Sequence, residues 1–223
     1  MIAKDVEKDE AIFQALRQCI VDSKKIRFEG NGYGDEWVKE AAKRGLSNIK
    51  TTPQALAAFV SKQTVDLFER LNIMSEREQY ARYDIYLETY TKKIQIESRV
   101  IGDIALSHII PTAIKYQSSL IENVKGLKEI MNDTDFKKVA NIQLQMINEI
   151  SGHINGIKTK VDEMTEARKR ANTINDVKKQ AIEYCEKVKE YFEVIRKHAD
   201  ELELLIDDEA WPLPKYRELL FTK

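Results

Sequence analysis

Residues that break helices or cross-link chains are scarce in this sequence, which has 8 glycines, 4 prolines and 2 cysteines among its 223 residues. Cys19 and Cys185 are too few for a zinc knuckle or a disulfide framework, so a cytoplasmic protein with reduced thiols is expected. Long hydrophobic runs are also missing, because no apolar stretch approaches the roughly 20 residues that a membrane-spanning helix needs. The segment Met1–Glu10 is rich in charge, which argues against a signal peptide there.

An excess of either charge is absent as well. The chain has 36 basic and 37 acidic side chains and a formal net charge of −1. A dedicated nucleic-acid binder would carry a clear basic excess, so neither a nucleic acid nor a membrane is expected as a partner. Hydrophobic residues make up 43% of the chain, which is enough apolar material for a packed core and excludes a wholly disordered protein.

Glycine and proline cluster, and the stretches between the clusters predict long helices. Residues 157–211 contain neither, and residues 54–110 contain only Gly102. We therefore predict an all-α fold, an elongated antiparallel helical bundle with long helices, preceded by a smaller subdomain of short helices and loops. The predicted parts are residues 1–74 with the glycine-rich loop, residues 75–210 as the bundle, and residues 211–223 as a docking tail.

An apolar stripe along residues 174–205 is the clearest helix signal. Its residues recur at positions a, d and e of a heptad, which is typical of a core-facing helix in a bundle. Position a holds Ile174, Ala181, Val188, Ile195 and Leu202, position d holds Val177, Tyr184, Tyr191, His198 and Leu205, and position e adds Cys185, Phe192, Ala199 and Ile206. This stripe needs partner helices, which we expect at Tyr80–Ile94, Ile101–Leu127 and Val139–Met164.

Several residues are expected to interrupt these helices. Pro111 should kink a helix or end it near Ile110, because proline lacks an N–H group and its ring collides with the preceding turn. Gly152 and Gly156 should bend or break the helix that contains them. His153, which lies between these two glycines, is then expected at a bend.

Local signals also predict where elements begin and end. The predicted helix N-caps are Asp35, Thr52, Ser75 and either Asp133 or Thr134. Ser75 and Glu78 have the spacing of a capping box, and Gly45 is expected to stop the helix that Asp35 begins. The alternating run Lys25–Phe28 predicts a short strand or an extended segment.

The segment Gly30–Gly34 is the only glycine-rich loop, and its functional interpretation is a phosphate cradle. It lacks the Lys-Ser/Thr pair of a P-loop, and Asp35 stands where a dinucleotide fingerprint has its third glycine. Asp35 and Glu36 would also repel phosphate. We therefore favour a tight turn with positive φ ahead of the next helix.

The other candidate groups do not form a site in the sequence. His108, His153 and His198 are each 45 residues apart, but they show no metal-ligand spacing, and His198 is expected at the edge of the core. Cys19 and Cys185 are expected to be small buried hydrophobes. No catalytic, cofactor-binding or metal-binding residue is therefore assigned.

The last residues combine charge and large apolar groups. The carboxylates of Asp207, Asp208 and Glu209 are expected to face solvent. The segment Trp211–Tyr216 and the following Leu219, Leu220 and Phe221 would expose several large apolar groups if free, so they should dock. We favour docking on the chain's own bundle, with a neighbouring subunit as the alternative.

Several long motifs in the chain closely resemble the C-terminal region of type III glutamine synthetases. The resemblance covers essentially the whole chain and is carried by Arg27–Trp37, Glu40–Leu46, Lys50–Pro53, Ile109–Ala113 with Gln117, Glu122–Leu127 and Trp211–Glu218. The segment Thr52–Lys93 is also similar to the helical end that glutamine synthetase catalytic domains share more widely.

This resemblance implies an enzyme that joins ammonia to glutamate at the expense of ATP through a γ-glutamyl phosphate, with divalent metal ions such as Mg²⁺ held by glutamates. It also implies a homo-oligomeric ring with active sites between subunits. In the family, the β domain and the catalytic barrel precede this region, so residues 1–74 would be the end of the catalytic-domain region. The chain itself is expected to be inactive, with its own upstream catalytic domain and other subunits as partners. The alternative is an autonomous helical-bundle interaction protein.

Overall fold

The structure is a computed structural model that describes residues 7–220, and within that range it contains helices and turns but no strand. The predicted all-α fold is therefore confirmed. The chain divides into two compact units, one ending at Lys50 and the other beginning at Thr51. The α-helices are α1 Lys8–Asp22, α2 Asp35–Lys43, α3 Thr52–Leu56, α4 Lys62–Arg70, α5 Glu76–Ile104, α6 Ile110–Ile130, α7 Asp133–Val139, α8 Asn141–Ala171, α9 Val177–Glu183, α10 Glu190–Leu205 and α11 Tyr216–Leu219.

The first unit consists of α1, a 3₁₀ turn at Ser23–Ile26 and α2. The strand considered for Lys25–Phe28 is wrong, because this run begins inside the 3₁₀ turn. Arg27, which follows the turn, is extended, as the alternative prediction had it. A strand needs a neighbouring strand to pair with, and residues 7–220 offer none. Gly45 adopts a φ of 70°, a left-handed conformation that ends α2 as predicted.

The capping box at the start of α5 is confirmed. The N–H of Ser75 donates to the Glu78 carboxylate at 2.8 Å, and the N–H of Glu78 donates to the Ser75 hydroxyl at 3.4 Å. The hydrogen bonds from Ser75, backbone first, hold the pKa of Glu78 below its ordinary value. This double contact fixes the start of the 29-residue helix α5.

The other predicted N-caps are wrong by one or two residues. The caps are Gly34, Thr51 and Asn132, not Asp35, Thr52 and either Asp133 or Thr134. The side chain of Asn132 accepts the N–H groups of Thr134 and Asp135 at 3.1 Å each. Acidic residues also favour the first turn inside a helix, so a run of capping residues locates the helix start without fixing the cap.

The chain stays helical through Pro111, so the helix end predicted near Ile110 is wrong. A π-helical turn at Ala105–Ile109 joins α5 to α6, and the N–H of Ile110 donates to the carbonyl of Ala105, five residues earlier. This wider turn leaves Pro111 in the first turn of α6, where its missing N–H costs little.

The second unit contains three long helical segments, α5 with α6, α8, and α9 with α10, and α8 runs antiparallel to the other two. Gln117 of α6 donates to the carbonyl of Ile147 at 2.8 Å, whereas Gln95 of α5 donates to Asn172 at 3.3 Å, so α5 and α6 run opposite to α8. His198 of α10 lies against Gly156 of α8, and Tyr184 donates to Asn172 at 2.6 Å, so α10 also runs opposite to α8. The predicted antiparallel bundle is confirmed in this unit.

The core lies between these helices and includes the predicted stripe. Four of its five position-a residues, Ala181, Val188, Ile195 and Leu202, are at most 1% exposed. The fifth, Ile174, is half-buried and precedes α9. A second π-helical turn, Tyr184–Val188, lies between α9 and α10, and there the N–H of Lys189 donates to the carbonyl of Tyr184 at 3.0 Å. The heptad pattern therefore predicted the buried face, and missed the π turn within it.

Helix α8 is continuous through Gly152 and Gly156, so these glycines do not break the helix as one of the two predicted alternatives had it. Gly156 instead makes room for the ring of His198, because a Cβ atom there would lie 2.6 Å from its Nε2. The prediction that Val139 and Ile142 face the core is also wrong, since they are 50% and 68% exposed. The buried part of the face begins at Ile150.

The tail docks on its own unit, as we favoured. Trp211 is 8% exposed and belongs to the main core, and Leu213 packs against that core. The ammonium of Lys215 donates to the carbonyl of Glu203 at 3.0 Å. Leu219 and Leu220 are exposed, and Phe221 lies outside the described residues.

Replacing the two glycines of α8 by alanine should have opposite effects. Gly156→Ala should destabilise the protein by about 1–3 kcal/mol, because the new methyl group collides with the half-buried ring of His198. Gly152→Ala meets open space and should stabilise it by about 0.5–1 kcal/mol. Urea unfolding of both variants measures the difference, and equal effects would contradict the close packing of α8 on α10.

Removing the Trp211 side chain should cost about 3–5 kcal/mol of unfolding free energy, because truncation leaves a cavity in the core. Leu204→Ala is the matched control, since Leu204 is 82% exposed on α10. The control should change stability by less than about 0.5 kcal/mol. A Trp211→Ala variant as stable as the control would show that the tail does not dock on its own bundle.

Candidate functional site

Arg44 organises the first unit. Its Nη1 donates to the backbone carbonyls of Lys24, Lys25 and Arg27, the first two at 3.4 and 3.5 Å. Its Nε donates to Glu40 at 2.8 Å, and this bond holds the pKa of the Glu40 carboxyl below its ordinary value. One guanidinium therefore ties α2 to the segment that follows α1, which explains a structural need for arginine at this position.

Two aromatic rings pack beside Arg44. The ring centroids of Phe28 and Trp37 are 4.7 Å apart, and the guanidinium carbon of Arg44 lies 5.9 Å from the centre of the Phe28 ring. A Cβ atom on Gly30 would lie 2.6 Å from the Phe28 ring, so glycine is needed there for space. The motif Arg27–Trp37 thus forms one packed structure.

The loop Gly30–Gly34 is a turn, as we favoured. The N–H of Gly34 donates to the carbonyl of Asn31 at 3.1 Å, and the N–H of Tyr33 donates to the Asn31 side chain at 3.0 Å. The expected positive φ is wrong, because among the described glycines only Gly45 has one. Two N–H groups of the loop are thus used inside the turn, and the exposed Tyr33 is its outermost side chain.

Two apolar surfaces remain uncovered, one in each unit. In the first, α1 exposes a row of large apolar side chains, described further below. In the second, a groove of about 560 Å³ lies between α5 and α10, with Ile96, Val100 and Phe192 in its wall. Ile96 and Val100 are 61% and 50% exposed. Exposed apolar patches of this kind commonly mark interaction sites on proteins.

Two of the three histidines meet, which the sequence did not indicate. The Nδ1 atoms of His153 and His198 are 3.0 Å apart, and the ring centroids are 5.3 Å apart. Burial, followed by the charge of His153, lowers the pKa of His198, and Lys197 and Lys160 act in the same direction while Glu201 opposes them. This pair joins α8 to α10, whereas His108 is exposed in the π turn.

The remaining candidates do not gather into a reactive site. The predicted burial of Cys19 is wrong, since this residue is exposed like the rest of α1, in which no residue is buried. Cys185 is half-buried. Asp207 and Glu209 are exposed as expected, and Asp208 is paired with Lys215.

Among residues 7–220, no three His, Cys, Asp or Glu side chains lie close enough to hold a metal ion. No helix in this part of the chain is long and apolar enough to cross a membrane.

The lowered pKa of His198 predicts that acid destabilises the second unit. At pH values between the ordinary pKa of histidine, near 6.5, and the lower pKa of His198 in the folded chain, the unfolded chain binds more protons than the folded chain. The contribution of His198 to stability is therefore complete above about pH 6.5 and is lost as the pH falls below that value. Urea unfolding between about pH 7.5 and 5.5 should show a smaller loss for His198→Gln than for the unmodified chain. The control His108→Gln, at an exposed position, should keep the full loss, and identical profiles for all three proteins would contradict the prediction.

Comparison with known proteins places these features in a family. The family model of the glutamine synthetase C-terminal domain matches residues 11–128. These include α1 from residue 11 onward, Arg44 with the carbonyls that it binds, which we call the Arg44 structure, and the helices through most of α6. The chain is 47% identical over all 223 residues to a glutamine synthetase of Bacteroides fragilis, and this match covers 31% of that protein.

Two further relatives match over 97% of the chain. They are a glutamine synthetase of Butyrivibrio fibrisolvens, 32% identical, and a type-3 glutamine synthetase of Dictyostelium discoideum, 26% identical. The chain spans 30% and 29% of their lengths. Because the family model covers more than half of the chain, this chain belongs to the glutamine synthetase C-terminal domain family.

Proposed function

We propose that this chain is the C-terminal helical module of a type III glutamine synthetase, in which it serves structure and subunit assembly and supplies no catalytic residue. The intact cytoplasmic enzyme would ligate ammonia to glutamate at the expense of ATP. The observation that carries the proposal is the extent of the match, since 100% of this chain aligns with only 31% of the Bacteroides fragilis relative. The chemistry then belongs to the other two thirds of such a polypeptide.

The potential metal ligands among the described residues support the proposal that the chemistry belongs to the rest of the polypeptide. ATP-dependent ligation in this family uses divalent metal ions, which prefer several carboxylate oxygens around one point. Among the described residues, no three potential ligand side chains gather in this way. The residues present do not fit a metal–nucleotide site, and we derive no catalytic step from them.

The surfaces of the chain support a role in assembly. The groove between α5 and α10 presents aliphatic side chains beside Glu97 and Glu193, while Arg196 pairs with Asp200 at 3.4 Å. An apolar wall with a charged rim is the usual composition of a protein–protein contact. The partners proposed for the module are its own upstream catalytic domain and the other subunits of a homo-oligomer.

The alternative, an autonomous helical-bundle interaction protein, is favoured by one observation. The second unit has its own core, which joins α5, α6, α8 and α10 and includes the docked Trp211. A unit with such a core has the features of an independently folding domain. The two proposals differ in whether the module works apart from a catalytic domain.

Activity measurements test whether the chemistry belongs to polypeptide outside this chain. The purified 223-residue chain should form no glutamine from glutamate, ammonia and ATP, with Mg²⁺ present, in an assay in which the intact Bacteroides fragilis relative is active. It should also show no heat of binding with ATP and Mg²⁺. Turnover by the chain alone would overturn the assignment of the chemistry to other polypeptide.

A chimera tests the positive half of the proposal. In the Bacteroides fragilis relative, the segment that aligns with this chain is replaced by the full 223 residues, and a truncated relative without that segment is the control. The chimera should assemble and synthesise glutamine, whereas the truncated control should lose assembly, as measured by light scattering, and activity with it. A truncated control that assembles and turns over normally would contradict an assembly role.

A further inference from the structure

Helix α1 is amphipathic, and its apolar side is uncovered. No residue of α1 is buried, and Ile12, Phe13, Leu16 and Ile20 are between 48% and 61% exposed. At 100° per residue these four side chains fall within about a third of the helix circumference, which is the arc that a helix buries against a partner. We call these four residues the α1 face. Gln14 and Gln18 lie on the opposite side of the helix.

The first unit has almost no core that could hold α1 in place. Within residues 7–50, Ala41 alone is buried. The contacts that follow α1 are polar, since Arg27 donates to the carbonyl of Ile20 at 2.5 Å and Arg44 holds the 3₁₀ turn. An isolated helix of 15 residues is marginal in water, because tertiary packing of its apolar side normally supplies most of its stability. The α1 face therefore requires a partner surface.

The length of the relatives indicates which polypeptide covers this face. The family model that includes α1 from residue 11 onward is that of a C-terminal domain, so in the relatives most of the remaining polypeptide precedes the matching segment. That remainder amounts to about two thirds of their length. Helix α1 is the first described helix of this chain, and it is the element that such preceding polypeptide would reach first along the sequence.

We propose that the α1 face is the docking surface for the catalytic portion of the glutamine synthetase polypeptide, and that Arg44 couples the docked α1 to the rest of the first unit. This inference rests on the proposed function and deepens it by naming the contact surface. The catalytic portion would offer an apolar groove for Phe13 and Leu16. Arg44 would transmit the position of α1 to α2 through the carbonyls that its guanidinium binds.

Hydrogen exchange of the chimera described above tests this surface. Amide exchange of α1 is compared between the isolated chain and the chimera, with α8 as an internal reference because its buried face is covered in both. Docking should slow the exchange of α1 by at least about tenfold in the chimera and leave α8 unchanged, because covered helices open less often.

Matched variants identify the side of the helix that docks. Phe13→Lys with Leu16→Lys places two charges on the α1 face, and Gln14→Lys with Gln18→Lys adds the same charge on the opposite side. All four side chains are exposed in this chain, so both variants should fold as the unmodified chain does. The first variant should return α1 of the chimera to fast exchange, and the second should keep the protection.

Three outcomes would overturn the inference. An active chimera whose α1 exchanges as fast as in the isolated chain would show that α1 is not covered, while the proposed function would stand. Equal effects of the two variants on the exchange of α1 would show that the added charge, and not the loss of the apolar face, removes the protection. Protection of α1 that rises with the concentration of the isolated chain would identify a second copy of this chain as the partner. An inactive, unassembled chimera would count against the proposed function itself.

Discussion

The packing of α10 against α8 is the contact on which the bundle depends. Val188, Ile195 and Leu202 of the stripe are almost completely buried in the core that they share with α8, which runs antiparallel beside them without a break. Gly156 permits this approach by leaving space for His198. Trp211 and Leu213 then close the end of the same core, so the tail and the helices form one hydrophobic unit. Burial of this apolar area is the main stabilising contribution available to a helical unit of this kind.

Periodicity predicted the buried faces well, since it reports which side of a helix meets a partner. The stripe at 174–205 and the capping box at Ser75 both follow from short-range sequence patterns. The π turns at Ala105–Ile109 and Tyr184–Val188 could not be predicted in this way, because one widened turn changes the register without changing composition. Gly156 was misinterpreted for a similar reason, since its role depends on a ring 42 positions away in the chain.

The candidate site was less predictable than the fold. The resemblance identified the family, and long motifs such as Arg27–Trp37 carried it, but no pattern showed that Arg44 would bind three backbone carbonyls. The pairing of His153 with His198 required the register between α8 and α10. The expected burial of Cys19 failed because an apolar face predicts a partner without saying that the partner is present in the same chain.

In the proposed function, this chain is a helical module whose exposed surfaces are covered by further polypeptide. Its second unit has a closed core, whereas its first unit presents the α1 face and one buried residue within 7–50. The most direct measurement is the mass of the native gene product, detected in the source cells with an antibody raised against residues 51–220. The account predicts a polypeptide about three times as heavy as this chain, as in the relatives of which it covers 31% and 30%. A native product no larger than these 223 residues would contradict it and favour an autonomous bundle.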